Sequence, residues 1–253
     1  MRVTILGTGT SQGVPVIACN CSVCHSNDDK DKRLRSSVLI ENNDTAIVID
    51  TGPDFRQQML RANVEKLDAV VFTHGHKDHI AGLDDVRAFN FIQQKPMDVH
   101  AEERVYETLH MEYAYVFAER KYPGIPQINV HTIGNEKFTV GSLEIIPIRA
   151  YHYKLPVLGF RINDFAYLTD ANRIEQEEQE KLLGLKYFVV TALRKKKHIS
   201  HFNLEEALNL IDQVKPENTY FTHISHQMGK HRDVSRELPS HVHLAYDGLT
   251  LEW

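Results

Sequence analysis

Long hydrophobic runs are missing. No stretch of the 253-residue chain approaches the roughly 18 to 20 apolar residues that a bilayer-crossing helix needs, so no membrane partner is expected. An excess of charge of one sign is missing too. The 29 Lys and Arg face 34 Asp and Glu, which gives no global attraction to nucleic acid or to an anionic membrane surface. No low-complexity linker, strict repeat or shift in composition marks a boundary, so residues 1–253 are expected to form one domain. Cysteine is scarce. Its three occurrences, Cys19, Cys21 and Cys24, fall within six consecutive positions, an odd and clustered set that does not read as a disulfide framework. The apolar start Met1–Gly7 is too short for a signal peptide and lacks a small-residue cleavage site. The expectation is a cytoplasmic chain in a reducing compartment, where thiols bind metal more often than they pair. Histidine, by contrast, is abundant, with 15 residues.

Short, often β-branched runs predict strands at Val3–Leu6, Val38–Ile40, Ala46–Ile49, Ala69–Phe72, Leu143–Ile148, Phe160–Ile162, Phe165–Leu168, Tyr187–Val190, Thr219–Phe221, Val242–Ala245 and Leu249–Leu251. Amphipathic stretches predict helices at Asp54–Ala62, Leu83–Phe91, Glu102–Val116, Asn172–Leu183 and Leu204–Val214. In the last, Leu204, Ala207, Leu208, Ile211 and Val214 share a face, and Asn203 with Glu206 makes an N-terminal cap pair. Many strands with interspersed helices imply a two-layered sheet core covered by helices. The strand ends carry a pattern of their own: Val70-Val71-Phe72-Thr73 leads into His74, Tyr167-Leu168-Thr169 into Asp170, and Tyr220-Phe221-Thr222 into His223. Ligands at the carboxyl ends of buried strands are how α/β-type sheets build sites. Three such endings converge if the strands are neighbours.

The strongest local signal is His74-Gly75-His76-Lys77-Asp78-His79. Divalent zinc and manganese accept neutral imidazole and carboxylate. His74 and His76 can chelate one ion from a loop after a strand, and Asp78 with His79 can hold a second. Gly75 leaves out a side chain where the backbone bends between ligands.

This H-x-H-x-D-H pattern after a buried strand resembles the signature of the metallo-β-lactamase fold hydrolases, and the chain is identified as a member along essentially its whole length. The resemblance implies an α+β four-layer αββα sandwich, two packed mixed β-sheets flanked by helices. It also implies that His74, His76 and His152 hold one metal, that Asp78, His79 and His223 hold the other, and that Asp170 bridges them. Asp50, in Val48-Ile49-Asp50-Thr51-Gly52, matches the family's early Asp, which supports the ligand loop from behind. The family alone implies a homodimer. His100, His110, His131, His231, His241 and His243 have no partner spacing and read as packing or surface residues.

Cys19, Cys21 and Cys24 give C-x-C-x-x-C spacing suited to a tetrahedral zinc that needs a fourth ligand. His25 adjoins Cys24 too closely; His226 is the better candidate. The cysteine loop and the opening Gly7–Pro15 resemble the phosphoribosyl cyclic phosphate phosphodiesterases of the carbon–phosphorus lyase pathway, in which a His placed like His226 completes a structural zinc site. That subgroup carries its general acid just before a capped helix, which nominates His201, with His198 behind it. Asp78 is placed in the catalytic group with His201 as well as among the ligands. Arg194-Lys195-Lys196-Lys197 borders this segment and can attract a phosphorylated substrate, and the glycine-rich opening either offers N–H groups to a phosphate or makes a tight turn.

The function expected is hydrolysis of a small cyclic or diester phosphate, with a hydroxide held between two divalent ions (zinc or manganese, with nickel an option) as the attacking group and a His acid serving the leaving group. One further zinc is structural. The partner is a small phosphorylated molecule rather than nucleic acid. The alternatives are a tRNA 3′-end processing endonuclease of the same fold and a non-catalytic relative from cofactor biosynthesis with a similar cysteine loop. An amide or thioester hydrolase is disfavoured because that type lacks a segment comparable to His201.

Overall fold

The computed structural model describes residues 1–120 and 122–253. In chain order, strands β1 (Arg2–Gly7), β2 (Ser37–Asn42), β3 (Thr45–Ile49), β4 (Ala69–Val71), β5 (Met97–Ala101) and β6 (Ile128–Thr132) build the first sheet, which β15 (Thr250–Glu252) completes beside β1. The second sheet comprises β7 (Phe138–Val140), β8 (Leu143–His152), β9 (Leu155–Ile162), β10 (Phe165–Leu168), β11 (Arg173–Ile174), β12 (Tyr187–Thr191), β13 (Asn218–Thr222) and β14 (Val242–Leu244). Its order is β11-β8-β9-β10-β12-β13-β14, with β7 paired to β8. The helices are α1 (Phe55–Ala62), α2 (Lys77–Ile80), α3 (Arg87–Gln93), α4 (Glu103–Glu112), α5 (Ala114–Phe117), α6 (Gln176–Gln179), α7 (Leu204–Val214) and α8 (His231–Val234).

Both sheets are mixed. Strands β3 to β6 run parallel in one, and β10, β12, β13 and β14 run parallel in the other. Parallel strands are covered on both faces, which is why Ala69–Val71 and Phe165–Leu168 are buried throughout. Between the sheets, Ile5, Val38, Ile47 and Val71 meet Ile145, Phe160, Phe165 and Val189. Residues from α1, α3 and α4 cover Leu6, Val48, Val70 and Val99 on one outer face, and α7 covers Phe188, Val190 and Phe221 on the other. This is the four-layer αββα sandwich expected from the sequence.

Helix α7 begins as its sequence dictates. The Glu206 N–H donates to the Asn203 side chain at 2.8 Å, and the Asn203 N–H donates to the Glu206 carboxylate at 3.0 Å. Asn203→Ala is expected to cost about 1 kcal/mol, a fall of about 2–4 °C in Tm for a domain this large. A thermal melt checks it, and an unchanged Tm would show that the cap contributes nothing.

Three helices expected from amphipathicity come out differently. The stretch 83–91 opens as a 3₁₀ turn at Leu83–Val86 and is α-helical only over Arg87–Gln93. The stretch 102–116 breaks at Tyr113, which takes φ −119 and ψ 39 while its hydroxyl donates to the Ile80 carbonyl at 2.7 Å; that buried anchor ends α4. The stretch 172–183 starts as an edge strand, since Arg173 and Ile174 pair with Tyr151 and Ala150 of β8. Only Gln176–Gln179 is α-helical, and a 3₁₀ turn follows at Glu180–Leu182. Sheet pairing has overridden local propensity there.

Candidate metal centre

The strand ends do converge, but not as neighbours within one sheet. Asp50 follows β3 and His74 follows β4 in the first sheet. His152 ends β8, Asp170 lies just beyond β10, and His223 follows β13 in the second. The candidate centre therefore sits on the seam between the sheets, where the Leu158 N–H of β9 donates to the Thr73 carbonyl at 3.0 Å. Asp50, Asp170 and His223 leave their strands in the left-handed region, at φ 64, 51 and 54, which costs a residue bearing a Cβ about 1–2 kcal/mol. Such strain concentrates where side-chain placement matters. Gly52 packs against the Asp78 carbonyl, and any Cβ there would overlap it. Gly75 serves a different purpose from a backbone bend: a Cβ on it would press the Thr108 hydroxyl of α4 at 3.0 Å.

Within the seam, the ligand-type atoms of Asp78, His79, Asp170 and His223 all lie within 4.8 Å of one another. His79 Nε2 is 3.2 Å from the Asp78 carboxylate and 3.0 Å from that of Asp170, and His223 Nδ1 is 3.1 Å from Asp170. His79 Nδ1 is 2.7 Å from Asp50, so that nitrogen carries the hydrogen and the lone pair of a neutral ring faces two carboxylates. Such a point requires a cation. Burial alone would push His79 down, but the carboxylates of Asp170, Asp50 and Asp78 hold it well above its ordinary value; a proton is drawn to the place a metal ion suits. The donor set therefore fits a divalent ion. Next to it, the rings of His74, His76 and His152 cluster with centroids 4.6, 5.2 and 6.0 Å apart. The buried His74 Nε2 has no hydrogen-bond partner among the described residues, as suits a ligand nitrogen. His74, His79, Asp170 and His223 are buried, His152 is half-buried and His76 is exposed, so the centre opens to solvent on the His76 side.

Asp50 reaches both clusters. One of its oxygens accepts from the Thr73 hydroxyl at 2.8 Å and faces His79 Nδ1, while the other accepts the Thr73 N–H at 2.9 Å. The same Thr73 hydroxyl lies 3.0 Å from His74 Nδ1. One buried carboxylate thereby orients His79 directly and His74 through a hydroxyl. His223 has helpers that the sequence did not reveal. Ser36 Oγ is 3.3 Å from its Nδ1 and Thr10 Oγ1 is 3.3 Å from its Nε2. Both lie about two hundred residues away in sequence, beyond the reach of any local pattern.

His201 lies at the same centre. Its ring stacks 4.8 Å from His223, stands 4.4 Å from His152, and holds Nδ1 3.6 Å from Asp170. Burial pushes it down to about 3 against the pull of Asp170. His198 is farther out, 5.1 Å from His201, with Nδ1 3.3 Å from the Ser200 N–H. His152 Nδ1 donates to the Ser200 carbonyl at 2.8 Å, which turns its Nε2 towards the cluster.

The second group expected from sequence also forms. Cys19, Cys21, Cys24 and His226 bring their ligand atoms within 4.8 Å, and His226 Nδ1 is 3.3 Å from the sulfurs of both Cys19 and Cys21. The Cys24 N–H donates to the Cys21 sulfur and brings that thiol down to about 6, whereas lost hydration pushes Cys24 up to about 11. Cys21 thus gives up its proton more readily than Cys24, and metal binding would release the protons that remain. His25 turns back to the Cys21 carbonyl at 3.3 Å.

The glycine-rich opening makes a turn rather than a phosphate cradle. Its N–H groups at Gly9, Thr10, Gly13 and Val14 donate to the carbonyls of Leu34, Ile224, Thr10 and Arg33, and that of Thr8 donates to Asp247. In the basic run, Arg194 is spent on Gln227 and two carbonyls, and Lys195 pairs with Glu237. Lys196 and Lys197 are exposed. His100 stacks on His131 at 4.8 Å and His110 on Phe117 at 5.0 Å, and neither belongs to the groups of ligand-type side chains described above.

Residues 45–224 match the beta-lactamase superfamily domain. The chain belongs to the beta-lactamase superfamily. A solved structure described as a new diphosphatase from the PhnP family is 40% identical, with a TM-score of 0.93 over 100% of this chain and 97% of that one. A Porphyromonas gingivalis protein named octanoyltransferase is 40% identical over 252 residues, 98% of this chain. The chain spans about half the length of that curated relative, 51%. Zinc-bound PqqB from Methylobacterium extorquens is 19% identical with a TM-score of 0.81, a likeness of fold. By fold and kinship the chain is a metallo-β-lactamase fold relative of the PhnP proteins, with side chains that could hold a metal gathered in one seam.

Proposed function

We propose that the chain hydrolyses a small cyclic or diester phosphate at a two-metal centre, with His201 as the proton donor to the leaving group. The observation that carries the reading is the placement of His201, buried against His223 and His152 and 3.6 Å from Asp170. Asp78, His79 and His223 hold one divalent ion, His74, His76 and His152 hold the other, and Asp170 lies between the two groups. When bound, two such ions supply Lewis-acid neutralisation of phosphoryl charge and a nucleophile at neutral pH. Asp50 and Thr73 keep His79 and His74 in the tautomers that leave their ligand nitrogens bare. Burial lowers His201 and the Asp170 carboxylate 3.6 Å away raises it, so Asp170 is the neighbour that favours the protonated ring. The Cys19, Cys21, Cys24 and His226 cluster holds a structural zinc that pins the 19–24 loop beside the β13 end bearing His223.

A second role for His201 is favoured by one observation: its ligand atom also lies within 4.8 Å of those of His152 and Asp170. His201 as a ligand would lose metal on substitution, whereas His201 as an acid would not. The octanoyltransferase name belongs to a protein about half of which lies outside the match, so acyl chemistry enters as a competing substrate class.

The test is a substrate panel with Mn²⁺ and Zn²⁺: ribose cyclic phosphates, 2′,3′-cyclic nucleotides, pre-tRNA and an octanoyl thioester. Turnover of the small phosphodiesters is expected, together with about two exchangeable ions and one tightly held zinc per chain. Metal at the cysteine cluster alone, or turnover of the thioester or pre-tRNA in preference, overturns the reading.

A further inference from the structure

We propose that Asn172 is a positioning residue for proton donation: its side-chain amide ties the turn that carries His152 to the loop that carries His201. The inference rests on the reading of His201 as the acid. Asn172 lies just beyond the carboxylate of Asp170, at the point where a helix was expected and an edge strand begins instead. Its Oδ1 accepts the Tyr153 N–H at 2.7 Å, and its Nδ2 donates to the Ile199 carbonyl at 3.0 Å. Its own N–H donates to the Tyr151 carbonyl at 2.9 Å, which fixes the amide in place. Tyr153 needs holding, because it sits at φ 58, in the left-handed region.

The loop needs holding as well. His201 Nδ1 has no hydrogen-bond partner among the described residues, so the ring is placed by its backbone. That backbone is secured at Ser200 by His152, at Phe202 by the Ala171 carbonyl at 2.7 Å, and at Ile199 by Asn172. His198 also accepts the Ser200 N–H at 3.3 Å from within the loop, and the Asn172 amide is the side chain, neither ligand nor acid, that ties the loop to another element. Residues 170–172 thus act as one bracket: Asp170 faces the metal centre, Ala171 holds Phe202, and Asn172 spans to both flanking turns. The chemistry of the amide explains the residue type. A carboxylate keeps the acceptor for Tyr153 but sets a lone pair against the Ile199 carbonyl, and an apolar isostere offers neither bond.

Five chains test this: the parent, Asn172→Ala, Asn172→Asp, His201→Ala and, for coupling, the double variant Asn172→Ala/His201→Ala. In metal-free protein, amide hydrogen exchange across residues 198–202 is expected to quicken about tenfold in Asn172→Ala, the scale of one lost hydrogen bond, and less in Asn172→Asp. In metal-loaded protein, cleavage of an alkyl phosphodiester is expected to fall about 10- to 100-fold. Cleavage of bis(p-nitrophenyl) phosphate, whose leaving group needs no proton, should stay within about threefold, with metal content at the parent level. Adding Asn172→Ala to His201→Ala should cost nothing more, since both act through one group. Equal losses on both substrates, unchanged exchange, or a full extra loss in the double variant overturns the tie. If Asn172→Ala fails to fold, Asn172→Asp carries the same comparison. A His201→Ala variant that spares the alkyl diester overturns the acid itself, and the two failures are thereby told apart.

Discussion

Asp50→Ala is expected to weaken retention of each of the two exchangeable ions by about 10- to 100-fold, because that is the cost of removing a carboxylate behind a ligand and this one serves a ligand in each cluster. Asp50 orients His79 directly at 2.7 Å and His74 through the Thr73 hydroxyl. The two histidines belong to different clusters, so the loss should appear as release of both exchangeable ions together. Titration with a chelator, followed by metal analysis, reads this directly; stepwise loss with one ion held at parental affinity would show that the carboxylate does not couple them. Asn at this position retains an acceptor for one partner and is expected to fall between Ala and the parent.

The other large effect belongs to His201. His201→Ala is expected to slow hydrolysis of an alkyl diester by about 10²- to 10⁴-fold, the range for a positioned acid. Bis(p-nitrophenyl) phosphate should be far less affected. The contrast arises because an alkoxide leaves only with a proton, whereas nitrophenolate leaves without one. Metal content separates this from a ligand role: it should match the parent if His201 donates protons, and fall if His201 completes a shell with His152 and Asp170.

Much of this centre was legible because its side chains follow a local rule. A buried strand, a Thr and then a ligand-type residue occurs at His74, Asp170 and His223; the alternation of apolar strands with amphipathic helices implied a two-layered sheet core covered by helices, and the four-layer sandwich came with the family resemblance. The reading fell short where the determinant was non-local. The expectation that the ligand-bearing strands lie side by side could not anticipate that β4 belongs to one sheet and β10 and β13 to the other. Ser36 and Thr10 contact His223 from the far end of the chain and leave no periodic trace. Asn172 was hidden for a different reason: Asn172–Leu183 has helical composition, and only pairing with β8 shows that its first residues are spent on the sheet edge. The glycine-rich opening was ambiguous by nature, since a turn and an anion nest use the same residues, and only the fate of each N–H decides between them.

The seam has a thermodynamic side. Because Asp50, His74 and His79 come from one sheet's strand ends and His152, Asp170 and His223 from the other's, the ions proposed for this seam would cross-link the two halves of the sandwich. By mass action, a ligand that binds only the docked form adds about 2.7 kcal/mol of stability at a hundredfold excess over its Kd. The metals would then work as rivets as well as reagents, coupling the cohesion of the whole barrel-less sandwich to the supply of divalent ions in its surroundings.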